Sequence, residues 1–167
     1  MARNIEIKAS LNDPKLQRQI ARRLSGSDPV IIYQEDIFFY TIKGRLKLRF
    51  FRDGTGELIS YYRADKSGPK TSEYFIYKTN TPLKLKKTLE HNLGIFKTVK
   101  KKRELYWIGR TRVHIDKVDH LGDFIELEVV LREDENPEYG KNEAKKLIQQ
   151  LHISKDHLIE KAYVDLL

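Results

Sequence analysis

Hydrophobic and polar residues alternate along most of this chain with the two-residue period of β-strands. Residues 5–9 set Ile5 and Ile7 on one side and Glu6 and Lys8 on the other. Residues 45–52 and 124–131 alternate as strictly. Residues 30–34, 37–42, 57–64, 72–79, 97–106 and 110–116 read as further strands, with Lys43-Gly44, Gly54, Gly56 and Gly109 marking turns. Three segments carry the helical period instead. Asn12 or Asp13 caps a helix that opens at Pro14, keeps Leu16, Ile20 and Leu24 on its apolar side and ends at Ser25-Gly26-Ser27. Pro82 opens a second helix, which Gly94 stops, and residues 138–151 form a third. Residues 153–167 read as a short helical or irregular tail. Many short strands separated by turns predict a barrel or a sandwich, and the helices make the class α+β. No linker, repeat or low-complexity stretch divides the chain, so residues 1–167 are expected to form one domain.

Composition narrows the chemistry. Hydrophobic residues make up 40% of the chain, enough for a packed core. Charged residues make up 34%, and the formal net charge is +8, so the partners expected are polyanions. The absence of cysteine removes disulfides, thiolate metal sites and cysteine nucleophiles. The first ten residues lack the apolar run of a secretory signal, and no segment approaches the ~20 apolar residues that span a bilayer. A cytoplasmic protein with no membrane partner, monomeric or homodimeric, is the expectation.

The strand period also sorts the charges into rows. Arg45, Lys47 and Arg49 share one strand face, opposite Leu46, Leu48 and Phe50. Lys101 and Arg103 share a face with Lys97 and Val99. Arg110, Arg112, His114 and Asp116 share another, opposite Val113 and Ile115, and Glu126 and Glu128 stand opposite Ile125, Leu127, Val129 and Leu131. A half-buried strand ordinarily turns a polar side to water, and for any single row that is the simpler reading. Segregation by sign argues otherwise, because solvent faces mix charges and like charges two residues apart repel. Rows of Arg and Lys inside a barrel suit a chain of phosphates, with Arg as a planar fork and Lys as a point charge. Glu6, Glu126 and Glu128 would then hold Mg²⁺ or Mn²⁺ through oxygen, and the ion would bridge to phosphate.

Residues 97–103 carry five basic side chains in seven, which in isolation reads as a nucleic-acid patch. A small RNA-binding protein with a basic β-surface is therefore the rival reading. The paired carboxylates oppose it, since acidic side chains on such a face repel phosphates unless a metal intervenes. His114 reads as a structural hydrogen-bonding residue, Trp107 as core or barrel packing, and Tyr61 or Tyr62 as candidates to stack on a base.

Taken in order, these segments resemble the CYTH family, which groups class IV adenylyl cyclases with thiamine triphosphatases among the triphosphate tunnel metalloenzymes. Asn4-Ile5-Glu6-Ile7-Lys8 is similar to its E-x-E-x-K signature, and Gln34-Glu35-Asp36-Ile37-Phe38-Phe39 to its Q-x-D-x-[YF]-F strand. Gly44-Arg45-Leu46-Lys47-Leu48-Arg49 is similar to G-R-L-K-[LI]-R, and Tyr61-Tyr62-Arg63-Ala64-Asp65 to Y-x-R-x-D. Val99-Lys100-Lys101-Lys102-Arg103, Arg112-Val113-His114-Ile115-Asp116 and Leu121-Gly122-Asp123-Phe124-Ile125-Glu126-Leu127-Glu128 resemble V-x-K-x-R, R-x-H-x-D and L-G-x-F-x-E-x-E. The ending, Ala162-Tyr163-Val164-Asp165-Leu166-Leu167, resembles the tail of the class IV cyclase branch.

The resemblance implies a closed antiparallel eight-stranded barrel forming a tunnel, with helices packed outside. It implies metal ligands at Glu6, Glu126 and Glu128 with Asp116 in support, and a triphosphate grip from Lys8, Lys47, Arg49, Arg63, Lys101, Arg103 and Arg112. Lys78 and Arg45 join that set on strand parity. Glu6, Lys8, Arg49, Lys101 and Arg103 are the expected catalytic groups. The implied substrates are ATP, thiamine triphosphate or inorganic triphosphate, and the implied reactions are cyclisation of ATP to cyclic AMP and pyrophosphate, or triphosphate hydrolysis. Triphosphate binding without turnover is the further alternative. Asn4 departs from the signature's first Glu, so the site carries one fewer negative charge, which bears on a second metal and on water activation.

Overall fold

A computed structural model describes residues 2–167. Eight strands run β1 (Ala2–Ser10), β2 (Val30–Phe39), β3 (Arg45–Phe51), β4 (Gly56–Arg63), β5 (Lys70–Thr79), β6 (Ile95–Ile108), β7 (Thr111–Val118) and β8 (Gly122–Val130). Helices α1 (Pro14–Ser25), α2 (Pro82–Leu93), α3 (Pro137–Gln150) and α4 (Tyr163–Leu166) interleave with them. The strands close a barrel in the order β1-β5-β4-β3-β2-β6-β7-β8, and every neighbouring pair is antiparallel. Closure leaves no edge strand exposed.

The alternation of the sequence becomes the two faces of this wall. Ile5, Ile7, Val113, Ile115, Ile125, Leu127 and Val129 point outward and are buried under Ile20 and Ala21 of α1 and Ala144 and Leu147 of α3. Ile37, Phe39 and Leu48 point outward beneath Leu85 and Leu89 of α2. The apolar rows thus face the helices, and the charged rows are left to fill the interior. The Asp13 side chain caps α1 by accepting from the Leu16 amide at 3.1 Å, and Gly26 ends it in the left-handed region. In α3, a β-carbon on Gly140 would lie 2.5 Å from Ile5 Cγ1 and 2.8 Å from Leu131 Cδ2, so the glycine lets that helix lie directly on β1.

Two expectations change. The strands predicted at 30–34 and 37–42 are one strand, β2, which ends at Phe39 and leaves Tyr40, Thr41 and Ile42 exposed. Glu35-Asp36 resembles a break between two strands, but Asp36 is an inward-facing residue whose charge is answered inside the barrel. Trp107, expected to pack, stands beyond Leu105 on the tunnel-facing side of β6, 47% exposed, with the Arg112 guanidinium 5.7 Å from its ring. The tail folds as a 3₁₀ turn at Lys155–His157 followed by α4. It crosses one end of the barrel, where the Ile159 amide donates to the Lys8 carbonyl at 2.8 Å and Leu158 bridges to Ala9. No helix among the described residues is long and apolar enough to cross a membrane.

Candidate active site

The barrel encloses a cavity of about 340 Å³ lined by inward residues of all eight strands, with Ala162 and Tyr163 of the tail. Inside a space this small, rows of charge from facing strands must answer one another.

On the wall formed by β2, β3 and β6 the centre is Asp36. Its carboxylate accepts from Arg49 Nε at 2.7 Å and Nη2 at 2.8 Å, from Lys47 Nζ at 2.9 Å and from Lys101 Nζ at 3.4 Å. Burial pushes this carboxyl up, but Arg49, Lys47 and Lys101 together hold it well below the usual range. Burial lowers the Lys101 ammonium, with Asp36 only partly opposing, to about 7. Three cations around one carboxylate leave net positive charge on this wall.

On the wall formed by β1, β7 and β8 the carboxylates dominate. Arg103, reaching across from β6, donates to Asp116 at 2.7 and 2.6 Å and to Glu126 at 2.9 Å. Lys8 lies 3.1 Å from Glu126 and 3.8 Å from the centre of the Tyr163 ring. Arg112 Nε donates to Glu128 at 2.9 Å, and Arg63 Nη1 donates to Glu6 at 3.2 Å. His114 Nδ1 sits 3.7 Å from Glu126 and 3.9 Å from Glu128, too far for hydrogen bonds, and is buried without a partner. Burial, then Arg103, lowers the His114 pKa, with Glu128 and Glu126 opposing. Burial raises the Glu128 carboxyl, but His114, Arg112 and Arg103 outweigh it and bring it to about 2. Glu6 moves the other way, raised by burial and by the neighbouring Glu128.

Ligand atoms of His114, Glu126 and Glu128 lie within 4.8 Å of one another, a group that can hold a metal ion. The orphaned imidazole nitrogen and the two ionised carboxylates are the donor set a divalent cation requires. His114 therefore joins the candidate ligands, a role its sequence position did not reveal. Arg63 Nε and Nη2 are likewise buried without partners, which is how a guanidinium stands when its acceptor is a ligand.

The tunnel brings together Glu6, Lys8, Lys47, Arg49, Arg63, Lys101, Arg103, Arg112, Glu126 and Glu128. It does not bring in three of the expected residues. Arg45 lies outside the tunnel, bound to Asp165 of the tail at 2.6 Å. Lys78 is exposed near the end of β5, opposite Glu57. Asp116 is buried behind Arg103, its oxygens taken by that residue and by the Tyr163 hydroxyl at 3.0 Å. Tyr61 lines the cavity, whereas Tyr62 faces outward. Asp36 and Tyr163 went unassigned from sequence. Asp36 shares strand parity with Gln34 and Phe38, which marks it as inward once β2 is one strand. The basic run also divides, with Lys101 and Arg103 inside and Lys100 and Lys102 outside.

Residues 2–163 match the CYTH domain. The chain belongs to the CYTH family. A relative from Methanocaldococcus jannaschii named "Putative adenylate cyclase MJ0240" is 29% identical, covering 97% of each chain. Among solved structures, the PH1012 protein from Pyrococcus horikoshii OT3 superposes with a TM-score of 0.85 at 21% identity, covering 98% of this chain and 99% of that one. A Vibrio parahaemolyticus protein described as a putative adenylate cyclase gives 0.80 at 16% identity, covering 98% and 96%. These superpositions establish the shared barrel. CYTH proteins are metal-dependent adenylyl cyclases or triphosphatases, so the chain is a triphosphate tunnel metalloenzyme by family.

Proposed function

We propose that this CYTH protein takes a nucleoside triphosphate into the tunnel phosphates first, and that it cyclises ATP to cyclic AMP and pyrophosphate as class IV adenylyl cyclases do. The observation that carries this reading is that the two ends of the tunnel differ. One end is crossed by the tail, with Tyr163 packed on Lys8 and Lys101. The other end is rimmed by the half-exposed apolar residues Ile32, Phe51, Ile76 and Leu105, set above the cations. An apolar rim gives a base and ribose a place to rest, and inorganic triphosphate has no use for one.

His114, Glu126 and Glu128, with Glu6 beside them, would hold Mg²⁺ or Mn²⁺. The bound ion supplies positive charge to phosphate oxygens as negative charge develops. In cyclisation the ribose 3′-hydroxyl gives up its proton to solvent, its oxygen bonds to the α-phosphorus, and the bond from that phosphorus to the bridging oxygen breaks, releasing pyrophosphate. Lys8, Lys47, Arg49, Arg63, Lys101 and Arg103 neutralise the leaving pyrophosphate, and their placement by Asp36, Asp116 and Glu126 means little reorganisation is needed. A second reading, hydrolysis at the terminal phosphorus, draws on Lys8 and Glu126 lying toward the covered end, where that phosphate would reside.

Turnover of ATP, thiamine triphosphate and inorganic triphosphate with Mg²⁺ and with Mn²⁺ tests the assignment, with phosphate, pyrophosphate and cyclic AMP measured separately. Cyclic AMP with equimolar pyrophosphate from ATP is expected. Phosphate alone would assign the triphosphatase reaction. No turnover with any substrate would leave triphosphate binding without catalysis.

A further inference from the structure

Asn4 occupies the inward position on β1 two residues before Glu6, and it is 2% exposed. With its amide turned so that both ends are satisfied, the oxygen accepts from Arg112 Nη2 at 3.0 Å. The nitrogen donates to the Tyr74 hydroxyl at 3.3 Å and to the Arg3 carbonyl at 3.0 Å. Arg112 is thereby held from two sides, by Asn4 on β1 and by Glu128 on β8, at the open end of the tunnel. Tyr74, from β5, fixes the amide in turn. Only one of the two acceptors carries charge.

A carboxylate at this position would change the site twice. It would neutralise Arg112, which would then lie between two acids, and it would add a fourth carboxylate to the wall bearing Glu6, Glu126 and Glu128. The amide does neither. It accepts the same hydrogen bond at the same place and adds no charge. The tunnel lining as it stands has seven cations, Lys8, Lys47, Arg49, Arg63, Lys101, Arg103 and Arg112, against five carboxylates, those of Glu6, Asp36, Glu57, Glu126 and Glu128. One divalent ion on this lining adds two positive charges to that excess, toward the charge of a nucleoside triphosphate.

We infer that Asn4 is a positioning residue with two effects: it holds Arg112 as a cation directed at phosphate, and by its neutrality it restricts the acidic wall to a single divalent ion. The inference rests on the proposed triphosphate reading and specifies how that site is charged.

Two titrations on the full chain test it, neither of which needs turnover. Mn²⁺ binding followed by the electron paramagnetic resonance of the free ion should give one ion per chain for the wild type and two for Asn4→Glu. Inorganic tripolyphosphate titrated calorimetrically into metal-free protein should bind Asn4→Glu and Asn4→Ala about tenfold more weakly, the scale of one charge-assisted hydrogen bond. Asn4→Ala should keep one Mn²⁺. Asn4→Asp, the isosteric variant, preserves the packing and should also weaken tripolyphosphate. Two ions in the wild type, or one in Asn4→Glu, would overturn the metal restriction. Unchanged tripolyphosphate affinity in Asn4→Ala, confirmed as folded by circular dichroism, would overturn the positioning role. Either result leaves the proposed function standing if wild-type protein binds Mn²⁺ and tripolyphosphate. Failure of the wild type to bind both would remove the proposed function and this inference together.

Discussion

On the wall built by β2, β3 and β6, a single carboxylate, Asp36, lies among Lys47, Arg49 and Lys101. On the wall built by β1, β7 and β8, Glu6, Glu126 and Glu128 are joined by the His114 imidazole and met by Lys8, Arg63, Arg103 and Arg112. Both walls are buried and both are ion-paired, yet they are unequal. The first carries spare positive charge with both Asp36 oxygens occupied. The second carries carboxylates whose facing imidazole nitrogen has no partner. A purely structural network would balance each wall separately, because an unanswered buried charge is costly. The positive excess is greatest on the first wall and the carboxylates gather on the second, a division that a metal-bound polyanion satisfies.

Substitutions can break this contrast in graded steps. Asp36→Asn should have the largest effect, because it leaves three buried cations facing one another. A loss of about 3–5 kcal/mol in chemical denaturation is expected. Tripolyphosphate should raise the melting temperature of this variant more than that of the wild type, and an equal rise would remove Asp36 from the anion site. Glu128→Gln comes next, with loss of metal-dependent turnover by about a hundredfold or more while circular dichroism is unchanged. Wild-type kinetics in that variant would detach Glu128 from the metal. Arg49→Ala should weaken triphosphate by about 10–100-fold and diphosphate by less, measured by calorimetry.

The pH dependence sharpens the contrast more gently. The Lys101 ammonium, at about 7 in the free protein, is charged below that pH and loses its proton above it. Triphosphate affinity should therefore fall about tenfold from pH 6 to pH 8, with proton uptake on binding at the higher pH. Lys8 and Lys47 are lowered in the same direction, so Lys101→Arg should reduce that uptake without abolishing it. A flat profile would mean that Lys101 meets no phosphate. The smallest effect belongs to Lys78→Ala, where an exposed side chain at the end of β5 should change affinity by less than about twofold.

The sequence revealed side better than depth. Strict alternation at residues 45–52 assigned Lys47 and Arg49 to one face, and the same parity placed Glu126 with Glu128 and Lys101 with Arg103. Parity is fixed by the pleat and survives any tertiary arrangement. How far along the tunnel a residue sits depends on strand tilt and on what covers each end, and neither is written in a strand's own pattern. Hence Arg45 and Lys78 share parity with cavity residues but lie past the ends of the cavity. Asp36 was hidden because it falls between the strands read at 30–34 and 37–42, which are one strand. Tyr163 was hidden because its partners Lys8, Lys101 and Asp116 are remote in sequence and come from three different strands. His114 was readable as an inward residue, but its unpartnered nitrogen exists only once Glu126 and Glu128 stand beside it.

The barrel closes where its first strand meets its eighth. Glu6 pairs in register with Glu128, and Lys8 with Glu126, across that junction. Such a pairing must bridge most of the chain, so it is expected to be among the later and slower steps of folding. The carboxylates placed for metal therefore straddle a seam expected to close late, and until it does the two halves of the site belong to separate parts of an open sheet. An ion held between β1 and β8 would fasten the seam in the finished molecule. Bound metal should consequently slow amide hydrogen exchange along that junction first, ahead of the β3–β4 hairpin on the far side of the barrel.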